Sequence, residues 1–261
     1  MTRIYNCSVE ADYAAGMRMA LSAIGRSALV VIPTDTVYGI AADAFSPGAV
    51  QNLLDAKGRG RTSPPPVLIP SLSTMDALAI DIPQPVRDLV AEFWPGGLTV
   101  ILNAQPSLVW DLGETRGTVA LRMPSNQVAL DLLKQTGPLA VSSANLSGQP
   151  AATDAQSAHA ALGDRVAVYL DGGESGTGYA TDADAASTII DATGFASNGG
   201  TLHIVRRGVI SRAAIEGLIG DVLAPEAEPT PAMDTTDESS TTDESSATDE
   251  SSANDESSAR G

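Results

Sequence analysis

Ala28-Leu-Val-Val-Ile-Pro-Thr-Asp-Thr-Val-Tyr-Gly39 joins an unbroken apolar run, Ala28 to Ile32, to a segment dense in hydroxyl groups. Five apolar residues, three of them β-branched and stopped by a proline, read as a short buried strand. The residues from Pro33 to Gly39 then lie at a strand end, where open α/β sheets bind their ligands. Thr34, Thr36 and Tyr38 alternate, so all three share one face if extended geometry continues. The other open reading is a turn whose hydroxyls bond their own backbone.

Outward from this stretch, short apolar runs alternate with helical patterns. Asp12 to Ile24 sets Met17, Ala20, Leu21 and Ile24 at helical spacing. Ser46-Pro47 supplies a capping hydroxyl and a proline at the first helical position, Val50, Leu53 and Leu54 an inward stripe, and Gly58 an end. Further helices are expected from Pro85 to Phe93, Asn126 to Gln135, Ala155 to Leu162, and Arg212 to Ile219. Strands are expected from Val67 to Ile69, Leu98 to Leu102, Thr118 to Arg122, Leu139 to Ser142, Val166 to Leu170, Ser187 to Ile190 and Leu202 to Val205. Interleaving on this scale predicts an α/β domain, a twisted mixed sheet with helices on its faces.

The chain divides by charge. From Ala224 onward, 11 acidic residues stand against Arg260 alone, so this stretch carries −10 of the −17 total. It repeats a six-residue unit from Thr235, Thr241, Ala247 and Ala253, with no large apolar residue after Met233. Such a segment cannot offset its chain entropy by burial, so 224–261 is expected to be a disordered acidic repeat tail behind one folded domain, 1–223. The body, with 14 bases against 21 acids, is mildly acidic. That excludes a general nucleic-acid coat, which needs a net basic face, while leaving room for a basic pocket. A single cysteine, Cys7, excludes an intrachain disulfide, and two histidines make a Cys/His zinc site hard to assemble. Glu10, Asp12 and Arg18 interrupt any leader-like apolar stretch and no membrane-length apolar run occurs, so a cytoplasmic protein without membrane contact is expected.

The chemistry-bearing residues fall mostly at strand ends. Lys57-Gly-Arg-Gly-Arg61 concentrates three cations between glycines, suited to polyphosphate or else a solvated basic loop. Arg122 closes an apolar strand and requires a partner or a cavity, as a structural ion pair or a carboxylate ligand. Ser142-Ser-Ala-Asn145-Leu-Ser-Gly148 is either a nest for phosphate or ribose or a capped turn. Asp171-Gly-Gly-Glu-Ser-Gly-Thr-Gly178 is flexible and weak evidence by itself, and Val205-Arg206-Arg207-Gly208 ends the body with two cations. Cations with hydroxyls, and no His or Cys among them to act as nucleophile, suit electrostatic stabilisation of phosphoryl or nucleotidyl transfer. No Walker A spacing occurs.

Taken in order, Pro33 to Ile40, Ala56-Lys-Gly-Arg59, Phe93-Trp-Pro-Gly-Gly-Leu-Thr99, Val119 to Pro124, Ser142 to Gly148, Ser187-Thr-Ile-Ile-Asp191 and Val205 to Gly208 resemble the YrdC-like L-threonylcarbamoyladenylate synthase family. The resemblance implies a YrdC-like fold with a large positively charged cavity, and formation of threonylcarbamoyl-AMP and pyrophosphate from ATP, L-threonine and bicarbonate. The product would pass to tRNA-modifying threonylcarbamoyltransferase proteins, which modify the adenosine beside the anticodon, with a possible tRNA contact by the synthase itself. By the same resemblance Thr36, the backbone around Leu68, Arg122, Val141 and Ser187 hold threonine. Lys57, Arg59, Ser63, Thr118, Ser143, Asn145, Ala151 and Arg206 surround ATP, Tyr38 supports them, and Lys57 and Arg59 carry the catalytic charge. Mg²⁺ is implied only through the ATP phosphates, with no metal site of the protein's own, and the loop from Lys57 to Arg61 is the candidate lid. Two departures stand out: Arg61-Thr-Ser-Pro-Pro-Pro replaces the family's usual sequence after the basic loop, and a short form without the extra C-terminal domain is expected. The alternatives are a non-catalytic RNA-binding or ribosome-maturation module, and a relative that carbamoylates another acceptor.

Overall fold

The computed structural model describes residues 3–179 and 185–226. All but Glu226 belong to a unit spanning Met1–Pro225; the expected disorder of the tail from Ala224 falls, beyond Glu226, outside the described residues. The strands are β1 (Arg3–Asn6), β2 (Val30–Ile32), β3 (Gly39–Asp43), β4 (Val67–Leu68), β5 (Ala79–Ile80), β6 (Leu98–Ala104), β7 (Thr118–Arg122), β8 (Leu139–Ser143), β9 (Val168–Asp171), β10 (Thr188–Asp191) and β11 (His203–Arg206). The helices are α1 (Glu10–Ile24), α2 (Pro47–Lys57), α3 (Leu72–Leu78), α4 (Gln84–Phe93), α5 (Gln127–Thr136), α6 (Ala155–Leu162) and α7 (Arg212–Ile219).

All strands join one mixed sheet in the order β1-β9-β2-β3-β8-β4-β7-β6-β10-β11, with β5 paired beside β6. Pairs β1–β9, β2–β9, β4–β7 and β6–β10 are parallel, and the remainder antiparallel. The period of two along a strand sends alternate residues to opposite faces. Val30, Ile32, Ala41, Val168 and Leu170 join one apolar cluster with Met17 and Ala20 of α1 and Leu132 and Leu133 of α5. Their neighbours Val31, Ile40, Ala42 and Tyr169 join another with Leu53 of α2 and Ala158 of α6. A third cluster packs α3, α4 and α7 against β4, β6, β7 and β10.

Local signals set the helix ends. Ser46 Oγ accepts from the Ala49 amide at 3.3 Å, and Gly58 closes α2 in the left-handed region at φ 64°. Asn126, Asp154 and Ser211 cap α5, α6 and α7 through their side chains in the same way. Of the two readings open for the segment beyond Ile32, the turn is the one the structure shows. The chain bends at residues 35–37 and returns as β3, so Pro33 to Tyr38 form a hairpin turn at one end of the central strands.

Candidate functional site

Thr34 builds that turn. Its hydroxyl donates to the Val37 carbonyl at 2.6 Å and accepts from the Thr36 amide at 3.2 Å. Beside it β7 ends at Arg122, β8 at Ser143 and the bend before β10 at Ser187, so loops that are distant in sequence converge on one cavity of about 520 Å³. Ten of the residues expected from the sequence line it: Thr36, Leu68, Arg122, Val141 and Ser187 from the threonine set, with Arg59, Ser143, Asn145, Ala151 and Arg206 from the ATP set. Thr34 and Tyr38 line it as well, and among the described residues no His or Cys does.

Arg122 is buried and held from three directions. Its Nε donates to the Gly96 carbonyl at 2.9 Å, its Nη1 to Thr36 Oγ1 at 2.8 Å, and its Nη2 meets Asp35 Oδ2 at 2.9 Å. Structural ion pair and cavity-facing cation, left open as alternatives by the sequence, are thus the same residue. Burial pushes the Asp35 pKa up, but the Arg122 charge, the Tyr179 hydroxyl and the Ser125 amide outweigh it, and the net direction is down. Arg206 bonds Ser187 three times, donating to its carbonyl from Nε at 3.0 Å and Nη2 at 2.7 Å and to its Oγ from Nη2 at 2.8 Å, while Thr99 Oγ1 lies 2.8 Å from the same Oγ. Arg59 Nη1 donates to Ser142 Oγ at 3.2 Å.

Three expected residues lie outside the cavity wall. Lys57 is fully buried beneath the turn after β8, where its ammonium donates to the Ser143 carbonyl, to the Asn145 carbonyl at 2.7 Å and to Asn145 Oδ1 at 3.2 Å. Burial, and second the Arg59 charge, pull its pKa down to about 7, against three acceptors that only the protonated amine can fill. Ser63 is exposed in the loop after Arg61, and Thr118 opens β7 at the end opposite Arg122, donating to the Thr115 carbonyl at 2.8 Å. Arg61 turns to an exposed pair with Asp111 at 2.6 Å, so of the basic loop only Arg59 faces the cavity.

The sequence reading passed over Asp35, Thr99 and Tyr179. Asp35 stands between the hydroxyls that drew attention, and a lone acid near a lone strand-end arginine was the available signal. Thr99 ends the matched stretch from Phe93, where alternation along β6 turns it toward Ser187. Nothing local marks Tyr179, whose partner lies 144 residues away.

The model of the Sua5/yciO/yrdC family, described as telomere recombination, matches residues 22–208. A Mycobacterium tuberculosis relative, provisionally named a threonylcarbamoyl-AMP synthase, is 46% identical over 220 residues, 84% of this chain and 96% of its own length. The threonylcarbamoyl-AMP synthase of Bacillus subtilis is 34% identical over 206 residues, 78% of this chain and 56% of the relative. Among solved structures, Pyrococcus abyssi Sua5 complexed with L-threonine superposes with a TM-score of 0.74 at 31% identity, covering 85% of this chain and 62% of that one. This chain therefore spans less than two thirds of that longer protein. Escherichia coli YciO shares the fold, with a TM-score of 0.67 at 21% identity over 80% of this chain and 97% of its own. The chain belongs to the Sua5/YciO/YrdC family, and its relatives named threonylcarbamoyl-AMP synthase are enzymes of the nucleotidyltransferase type.

Proposed function

We propose that this chain makes threonylcarbamoyl-AMP. The observation that supports this reading most is the convergence of Arg59, Arg122 and Arg206 with the hydroxyls of Thr36, Ser143 and Ser187 around one cavity that has no His or Cys among its described lining residues. The threonine amine and bicarbonate lose water to give a carbamate. A carbamate oxygen then attacks the α-phosphorus of ATP, and the bond to pyrophosphate breaks. The carbamate and ATP are both anionic, so the work of the protein is to hold them together against their repulsion. Arg122, lining the cavity, is the partner for the threonine carboxylate, with Thr36, Ser187, Val141 and the Leu68 backbone around it. Arg59, Arg206, Ser143, Asn145 and Ala151 face the nucleotide. Lys57 serves from behind by fixing the Ser143–Asn145 backbone, and Ser63 and Thr118 drop out of the nucleotide set.

Among the described residues, no three His, Cys, Asp or Glu side chains gather to hold a metal. A Mg²⁺ ion would come with the ATP phosphates and supply charge neutralisation there. The product goes to threonylcarbamoyltransferase proteins that modify tRNA, in the cytoplasm; no described helix is long and apolar enough to cross a membrane. The test is pyrophosphate release with ATP, Mg²⁺ and bicarbonate, with and without L-threonine, and the mass of the nucleotide product. Threonine-dependent release with a threonylcarbamoyl-AMP mass is expected; no release would overturn the reading.

A further inference from the structure

The glycine-rich segment from Asp171 to Tyr179 has no part in the reaction above, yet it lies along the Pro33–Tyr38 turn. A side chain at Gly172 would come within 2.8 Å of the Pro33 ring, and one at Gly176 within 2.9 Å of the Thr36 carbonyl, so only glycine permits this approach. Two tyrosines lace the segments in opposite senses. Tyr38, from the turn, donates to the Gly173 carbonyl at 2.6 Å and accepts from the Gly172 amide at 3.0 Å. Tyr179, from the glycine-rich segment, donates to Asp35 Oδ2 at 2.7 Å, the carboxylate oxygen that also meets Arg122.

We propose that Tyr179 is a positioning residue for Arg122, acting through Asp35 to keep the guanidinium available to a substrate carboxylate. Two effects of its hydroxyl act in one direction. Sharing Oδ2 with Tyr179 weakens the hold of Asp35 on Arg122, whose remaining N–H groups are what an incoming carboxylate must use. The same bond pins the glycine-rich segment against the turn, where Gly176 also abuts Ala185, two residues before Ser187. Without it Arg122 is drawn toward Asp35 and the Ser187 side of the pocket loosens. Both changes cost threonine binding, and neither touches Arg59.

This inference rests on the synthase reading. Tyr179→Phe removes only the hydroxyl and keeps the ring. Calorimetric titration with L-threonine and pyrophosphate-release kinetics on the full chain are expected to show threonine Kd and KM raised about fivefold, the loss of one hydrogen bond. The KM for ATP is expected to stay within about twofold, with a melting temperature lowered by about 2–4 °C per kcal/mol lost with that bond. Unchanged threonine affinity, or an equal loss for ATP, would overturn the role of Tyr179 and leave the synthase reading intact. Wild-type protein that neither binds threonine nor releases pyrophosphate would overturn both.

Discussion

Lys57 is clamped by both carbonyls of Asn145, the main-chain oxygen at 2.7 Å and the side-chain oxygen at 3.2 Å, across 88 residues of sequence. Two segments of the basic and hydroxyl-rich motifs are thereby joined beneath the cavity rather than inside it. Lys57→Met would leave the two Asn145 oxygens without this donor, the Ser143 carbonyl keeping the Asn145 amide at 2.9 Å, and is expected to cost about 3 kcal/mol. Arg59→Ala removes a single bond to Ser142 and is expected to stay within about 0.5 kcal/mol of wild type while raising the ATP KM at least about tenfold. Urea unfolding beside kinetics separates the two; equal stability of both variants would put Lys57 back among simple ligand contacts.

How much of this was legible follows from what each element depends on. Helix α6 and strand β7 match their expected limits because a cap, an apolar run and a stop lie within a few residues. Strand β3, Gly-Ile-Ala-Ala-Asp, carries no strand signature of its own. It is extended because β2 and β8 pair it on both sides, and because Gly39 leaves room for Val141, whose Cγ1 would lie 2.5 Å from a Cβ there. In the site, strand-end cations and hydroxyls could be read, since their types are unusual after apolar runs. The direction of Lys57 could not, because its partners are backbone carbonyls that any sequence possesses.

Gly208 follows the two closing cations and touches the backbone that carries Ser187. A Cβ there would stand 2.3 Å from the Ala186 carbonyl oxygen and 2.6 Å from that of Ser187. Backbone cannot swing aside as a side chain can, so Gly208→Ala is expected to displace Ser187 and raise the threonine KM about tenfold or more. A variant with wild-type threonine dependence would show that this wall of the cavity is soft.

Asp35 gives the acid side of stability a specific origin. Its folded pKa lies below the ordinary 3.8, so its contribution is fully present above that value and is lost as pH falls through the lowered folded pKa. Asp35→Asn, which leaves a buried Arg122 charge without its partner, is expected to cost about 3 kcal/mol near neutrality. Thermal melts of both proteins should therefore run parallel above pH 3.8 and converge only below it; convergence beginning near pH 6 would assign the transition to another group.

The acidic repeat contributes none of the residues assigned to the chemistry proposed here. Deleting residues 226–261 is expected to leave threonine-dependent turnover within about twofold, because it removes none of the cations and hydroxyls assigned to the substrates. A larger loss that salt abolishes would give the segment an electrostatic role.

Cys7 tests the packing of the first strand against β9 without reference to activity. Its Sγ lies 3.7 Å from the Tyr5 carbonyl and its amide donates to the Asp171 carbonyl at 2.7 Å. Burial first, and the Asp171 charge second, push the thiol pKa from 9.0 to about 11. Since the thiolate is the reactive form, the folded protein at pH 8 should react with a disulfide reagent about a hundredfold more slowly than a thiol of pKa 9.0. In 8 M urea (about the upper end of denaturant use, where the surface is exposed) the ordinary rate should return. Fast labelling of the folded chain would mean that β1 opens readily from the edge of the sheet, because only separation from β9 removes both the burial and the neighbouring charge.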